Sequence, residues 1–297
     1  MVDVEKYEKA GRIAARTREI AKSIAKPGVK ILDVAEEVEK AIREEGAQPA
    51  FPVNISINEI AAHYTPEFGD ERTISDKDVV KIDVGAHVDG CIGDTAITLD
   101  FSGNYGKLVE ASERALEAAI ECIKPGVKTS EVGAIVEETV REMGFKTIEN
   151  LTGHGLGEYK LHSGMEIPNI RTQHYKEIKE GDIIAIEPFA TDGAGRVCDG
   201  SVVEIFEFVE QKPVRMRQSR IVQNFIKENY PKLPFAERWL RYEFKSKLLL
   251  QSALRELVAF GVVKQYPILK EAEGGIVAQA EHTIIVERDG ARVLTVI

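Results

Sequence analysis

Thiols and long hydrophobic runs are scarce in this chain and basic residues are outnumbered by acidic ones, and each of these excludes a class of protein. Its 297 residues hold only three cysteines, Cys91, Cys122 and Cys198, odd in number, scattered, and without a Cys-x-x-Cys spacing. That usage suits a reducing compartment, so a cytoplasmic location is expected, and it leaves no thiolate set for a closed structural zinc. No stretch is apolar enough to span a membrane. The opening VEKYEKAGRIAARTREIAKSIAK (4–26) sets apolar residues at helical spacing among charges, with no signal-peptide core. A net charge of −10 argues against nucleic acid as the partner of the whole chain. The length allows one large α/β domain, or two domains, with a substantial core.

What is present begins with KIDVGAHVDGCIGDTAITL (81–99), two alternating strands that meet at Asp89-Gly90. An Asp-Gly pair between such runs signals a two-residue hairpin turn, because both central residues need positive φ. That turn sets Gly85 opposite Asp94 and Asp83 opposite Ala96. Asp83 and Asp94 then share one face, diagonal to each other and roughly 7–8 Å apart at the backbone. Two acids on one face either stand in solvent or repel, unless one stays protonated or a cation sits between them.

The chain also repeats itself. KPGVKILDVAEEVEKAIREEG (26–46) and KPGVKTSEVGAIVEETVREMG (124–144) align without a gap, each a Pro-Gly turn followed by an amphipathic helix that ends at glycine. DVVKID (78–83) is echoed by DIIAIE (182–187), so Asp83 corresponds to Glu187; IGDTAIT (92–98) is echoed by QAEHTII (279–285), so Asp94 corresponds to Glu281. Two related α/β halves are expected, each contributing a hairpin with two inward carboxylates. Asp83 and Asp94 are 11 residues apart and Glu187 and Glu281 are 94 apart, so the second hairpin is interrupted.

The interruption falls at about 206–270, which divides the chain into a body (1–205 and 271–297) and a helical insert. SRIVQNFIKENY, LPFAERWLRYEF and SKLLLQSALRELVAFG have helical periodicity, and VVKQYPIL reads as a strand. The insert carries 13 Lys or Arg against 6 Glu and no Asp, a net of +7 on a body of −17. It is either a small stabilising subdomain with solvated charges or a docking surface for an anionic partner such as RNA.

Four carboxylates call for nitrogen ligands, and NLTGHGLGEYKLHSG (150–164), just before the second acidic strand, holds His154 and His162. Four carboxylates and one imidazole suit a pair of divalent ions such as Mn, Fe, Co or Zn. Two such ions can share a water, lower its pKa and clamp a hydrolytic displacement. On this reading Gly85 and Ala96 leave room for metal.

DVVKIDVGAHVDGCIGD, NLTGHGLGEYKLHSG, AIEPFA (185–190) and AEHTII (280–285), with AFPVNISINEIAAHYTP (50–66) and LPFAERWL (233–240), together resemble methionine aminopeptidases of type 2 in an archaeal-like short form. The resemblance runs over essentially the entire chain. It implies the pita-bread fold, two pseudo-twofold halves around a curved, mostly antiparallel sheet, with a helical, winged-helix-like insertion. It implies two divalent metal ions: Asp83 on the first, Asp94 and Glu281 bridging, His154 and Glu187 completing the second. It assigns His162 to the scissile carbonyl, His63 to the neighbourhood of the scissile bond, and Glu187 to proton shuttling while a metal-activated hydroxide attacks. Phe51, Leu161 and Tyr266 are expected to line the methionine pocket, or else to pack in the core. The substrates implied are N-terminal methionine peptides and nascent chains with a small second residue; the enzyme would be a monomer.

His87, His174 and His282 are left structural or exposed, His282 pointing away from Glu281's face. Two positions depart from the family pattern. Ala280 stands where Phe is usual and should alter packing behind the site, and Ser163 stands where Ala is common and could retune the pocket. A proline-specific aminopeptidase or dipeptidase would use the same ligands but usually carries a separate N-terminal domain, whereas this chain enters its repeat by residue 26. A non-catalytic ribosome- or RNA-associated protein of the same fold would have lost ligands. The basic insert could still give an active enzyme a transient affinity for the ribosome.

Overall fold

The computed structural model describes residues 3–297. Its organising unit is the hairpin of strands Val79–Val88 and Cys91–Asp100. Asp89 and Gly90 turn it at φ 49° and 89°, and the ladder pairs Val88 with Cys91, Gly85 with Asp94 and Asp83 with Ala96. The register is the one that the Asp-Gly turn dictates.

Around it runs a nine-stranded sheet. Its main path is Gln48–Pro49, Val79–Val88, Cys91–Asp100, Glu281–Glu287, Ile183–Ile186, Thr152–Gly155 and Glu166–Pro168, and every recorded pairing is antiparallel. The second hairpin, Ile183–Ile186 with Glu281–Glu287, thus lies directly beside the first. It joins through Glu281 opposite Ala96 and His282 opposite Thr95.

Helices cover the two halves in turn. α1 (Val4–Ile24) and α2 (Ile31–Glu44) lie on the first, and α3 (Gly106–Cys122) and α4 (Thr129–Glu142) on the second. The repeated sequence is repeated structure, bond for bond. Gly28 and Gly126, at φ 89° and 92°, turn the chain with Val29 N donating to Lys26 O and Val127 N to Lys124 O. They then donate to Ile74 O and Ile178 O, and beyond Gly46 and Gly144 the amides of Ala47 and Phe145 close back on Ile42 O and Val140 O. Val34 and Val38 of α2 and Val132 and Val136 of α4 are the buried stripe of each copy.

Between strands Val197–Phe208 and Val263–Glu271 come α5 (Arg217–Asn229), α6 (Glu237–Arg241) and α7 (Lys247–Ala259), packed on a separate core that includes Phe206, Val222, Phe235 and Leu254. These two strands pair with each other, with Phe235–Ala236 and with Ile60–Ala62 in a four-stranded sheet. LPFAERWLRYEF is therefore not the full helix that its periodicity suggests. Phe235 and Ala236 pair with Phe206 and Ile205, which leaves a five-residue α6. Long-range strand pairing overrides local period here.

A buried network ties these helices to the body. The Glu39 carboxylate of α2 accepts from Arg238 and, at 2.8 Å, from Trp239 Nε1, both on α6, and from Val53 N at 3.2 Å. Arg238 also donates to Thr65 Oγ1. Both charges are almost wholly excluded from water. Removing either leaves the other buried without its partner, so Glu39→Ala and Arg238→Ala should each cost about 3–5 kcal/mol. Denaturant midpoints check this, with the double variant costing well under the sum; additive or sub-kcal losses contradict it.

Candidate metal centre

Adjacent strands deliver the acidic side chains to one face. Asp83 pairs with Ala96, Ala96 with Glu281, and the pairing of His282 with Ile186 places Glu281 next to Glu187. Asp94 lies one step along from Ala96 on the same face, and His154, opposite Ala185, comes from the next strand out. The ligand atoms of Asp94, His154 and Glu281 lie within 4.8 Å of one another. His154 Nε2 is 3.4 Å from Glu187 Oε1 and 3.8 Å from Asp94 Oδ2. The backbones that carry them are pinned. Asp94 N donates to Thr283 Oγ1 and Thr283 Oγ1 donates to Asp94 O, both at 2.8 Å, while Thr95 Oγ1 donates to Glu281 O at 2.8 Å.

No cation of the described residues faces these acids. Lys81, two residues from Asp83, gives its buried ammonium to the carbonyls of Asn58 and Val277, at 2.8 and 2.9 Å. Burial therefore pushes the Asp83 carboxyl up to about 7. Asp94, Glu187 and Glu281 are held well above the carboxylate range, by burial first, then by Asp83 beside Asp94 and Glu187 and by Asp94 beside Glu281. Asp83 Oδ1 and Asp94 Oδ1 are buried without a hydrogen-bond partner. Clustered oxygen donors, orphaned lone pairs and one imidazole nitrogen fit hard or borderline divalent cations.

The imidazoles are neutral. Burial lowers His154 to about 3 and His63 to about 4. His162, packed edge-on at 4.4 Å from His154, is the most exposed of the three and is lowered by partial burial and by Lys264. His63 holds φ 64°, a backbone that costs a non-glycine residue energy. Its Nδ1 lies 3.2 Å from Pro267 O, so the proton is assigned there and Nε2 is left as an acceptor.

One cavity gathers all ten residues singled out from the sequence: the five donors together with Phe51, His63, Leu161, His162 and Tyr266. Asn54, Ala62, Ile205 and Pro234 also line it. Pro234 and Ile205 reach the cavity through tertiary folding and carry no local signal. Asn54 pairs with Asp83 across the ladder. Gln279 was readable: two residues before Glu281, it shares that face, and its amide donates to Glu187 and Glu281 at 3.4 and 3.5 Å.

Gly85 has a different role from the one expected. A Cβ there would stand 2.2 Å from the Phe51 ring, so Gly85 makes room for the aromatic wall. Ser163 hydrogen-bonds Gly155 O through its amide at 2.8 Å and lies outside the cavity lining, so it bears on the His162 loop and not directly on the pocket. Ala280 packs in the core behind the site. His282 turns to Thr295 Oγ1 at 2.8 Å on the opposite face, and His87 accepts from Gly90 N at 3.2 Å.

A sequence profile described as metallopeptidase family M24 matches residues 5–287. The methionine aminopeptidase of Methanocaldococcus jannaschii is 50% identical over 297 residues, covering 99% of this chain and all of that one. Among solved structures, the methionine aminopeptidase of Thermotoga maritima superposes at TM-score 0.72 with 24% identity, over 99% of this chain and 97% of that chain. The prolidase of Pyrococcus furiosus superposes at 0.65 with 20% identity, over 99% of this chain but 64% of its own length. These two show the fold, and it is the pita-bread fold expected.

Each raised carboxyl keeps a proton when folded that it would lose unfolded. The metal-free fold is thus favoured at low pH, and that contribution fades as pH climbs from about 4 through about 7 and beyond. EDTA-stripped protein should melt at falling temperature from about pH 5 to about pH 8, and a divalent cation should restore most at the alkaline end. A flat profile, or no response to any cation, contradicts the site.

Proposed function

Because this chain belongs to metallopeptidase family M24, where it is a methionine aminopeptidase, we propose that Asp83, Asp94, His154, Glu187 and Glu281 hold two divalent cations against which N-terminal methionine is cleaved. The observation that carries this is the convergence of four carboxylates and one neutral imidazole, unpaired by any lysine or arginine, in one cavity. Sheet order supports the division of labour. Asp83 comes from one side, Glu187 and His154 from the other, and Asp94 and Glu281 from the two strands between, placed to be shared. When bound, such ions, with Co, Mn, Fe and Zn all suited to the set, act as Lewis acids and lower the pKa of water.

The chain's own groups do the rest. Glu187 takes a proton from the attacking water and returns it to the leaving amine. His162 stands where it can face the scissile carbonyl as its oxygen gains charge. His63 Nε2, its partner nitrogen occupied by Pro267 O, accepts an N–H of the bound peptide. Phe51, Leu161 and Tyr266, with Ile205 and Pro234, form a wall for an unbranched thioether. Two imidazoles and Tyr266 crowd the next position, which favours a small second residue. The free α-amine seeks the acidic end, and an internal peptide bond has none to offer.

The chain is read as a cytoplasmic monomer, with residues 206–270 as an insertion subdomain. Stripped of metal and supplied with each cation in turn, the protein should release methionine from Met-Ala-Ser and hardly at all from Met-Lys-Ser. Equal release from both, or release without metal, contradicts the reading. The basic insert supports transient ribosome contact near emerging chains. All three of Arg215, Arg217 and Arg220 are exposed, but the Arg220 guanidinium is engaged by the carbonyls of Val214 and Arg215, so Arg215 and Arg217 should carry most of it. Co-sedimentation with ribosomes should weaken with salt and vanish on Arg215→Glu/Arg217→Glu; absence from the ribosome fraction at every salt concentration ends that proposal.

A further inference from the structure

Asp94, His154 and Glu281 are buried among the strands of the main sheet, so a peptide whose α-amine lies against them runs toward the side of the cavity lined by Ile205 and Tyr266. The strands Val197–Phe208 and Val263–Glu271 line that route. Ile205 and Tyr266 face each other across the ladder and both line the cavity. The next pair on the same face, one step outward, is Glu207 with Lys264. Tyr266 packs edge-on against His63 at 5.5 Å. Lys264 closes over the outer side of that ring, its Nζ 4.3 Å from the centroid and donating to the hydroxyl at 3.3 Å, while the hydroxyl donates to Glu207. Lys264 also bears electrostatically on His63 and His162, with Glu207 opposing it at His162.

The two rim charges are not equivalent. The Glu207 carboxylate is occupied by the Tyr266 hydroxyl and half-buried; Lys264 is exposed and, among the described residues, pairs with no carboxylate. Same-face neighbours on a strand stand about 6.6 Å apart, the span of two residues of extended peptide. With the scissile bond beside His63 and Tyr266, that step reaches the third residue of the substrate.

We propose that Lys264 is a specificity-determining residue of this hydrolysis, favouring peptides with an acidic third residue over those with a basic one. It rests on the proposed site, and its sign is opposite to what the whole chain's charge of −10 would impose at long range, so an acidic preference points to the local cation. At about 6 Å in a partly wet rim, one unit charge corresponds to roughly a 3- to 10-fold change.

The test compares kcat/KM on Met-Ala-Glu-Gly, Met-Ala-Gln-Gly and Met-Ala-Lys-Gly for metal-loaded protein and for Lys264→Arg, Lys264→Met and Lys264→Glu. The order Glu above Gln above Lys is expected, kept by Lys264→Arg, flattened by Lys264→Met, reversed by Lys264→Glu, and compressed by salt as an exposed charge must be. Methionine release at equal rates from all three peptides overturns the inference and leaves the hydrolytic site standing. A preference for lysine assigns the rim to Glu207 and overturns it as well. No release even from the neutral peptide brings down the proposed site, and this inference with it.

Discussion

Four carboxyl groups gathered in one cavity, those of Asp94 and Glu281 fully buried, with no cation of the described residues to face them, are the constraint on which the rest of this structure depends. Such an arrangement costs folding free energy, since burial disfavours every one of the charges and each acid worsens its neighbour's position. It persists because the acids are fixed by backbone. They sit on consecutive strands whose ladder cannot slip by one residue without turning every side chain to the other face. The hydrogen bonds of Thr95 and Thr283 to the backbones of Glu281 and Asp94 remove what freedom is left. The strain is answered only by something positive from outside the chain.

Internal duplication explains how so improbable a cluster is built. One hairpin supplies Asp83 and Asp94, a second supplies Glu187 and Glu281, and edge-to-edge pairing of the two assembles the set. The halves have since diverged where the insert touches them. Glu39 of α2 meets Arg238 and Trp239 in a dry interface, whereas its repeat counterpart Glu137 of α4 accepts an amide from Arg171 at the surface at 3.0 Å. The interrupted hairpin also differs in register: its acids stand next to each other across the ladder, while those of the first are diagonal. Pro234 and Tyr266 of the interrupting segment, with Ile205 at its edge, line the cavity on one side, so part of its wall comes from chain that the duplication did not produce.

Much of this was legible before any coordinates, and for local reasons. An Asp-Gly turn fixes a ladder, period-two alternation turns Ala280 and His282 away from the face of Glu281, and the aligned Pro-Gly turns predict paired helices. Where reading failed, distant partners decided. Phe235 and Ala236 join a strand instead of a helix because Ile205 and Phe206 offer them a ladder. Gly85 is empty of side chain because Phe51, 34 residues earlier, needs the space. Ser163 serves its own loop because Gly155 lies beneath it.

By itself the sequence determined that four acids fall into two hairpins, the first in known register, that two histidines lie between them, and that a basic, largely helical segment interrupts the second. These follow from turn chemistry, side-chain period and internal repetition, all short-range properties. Only the tertiary structure decided that the two hairpins lie edge to edge, that Ile205 and Pro234 wall the cavity, that His63 Nδ1 lies against Pro267 O, and that Lys264 pairs with Glu207 across the ladder. Each of these is a contact between residues far apart along the chain, set by which buried surfaces fit together, and no local pattern encodes such a fit.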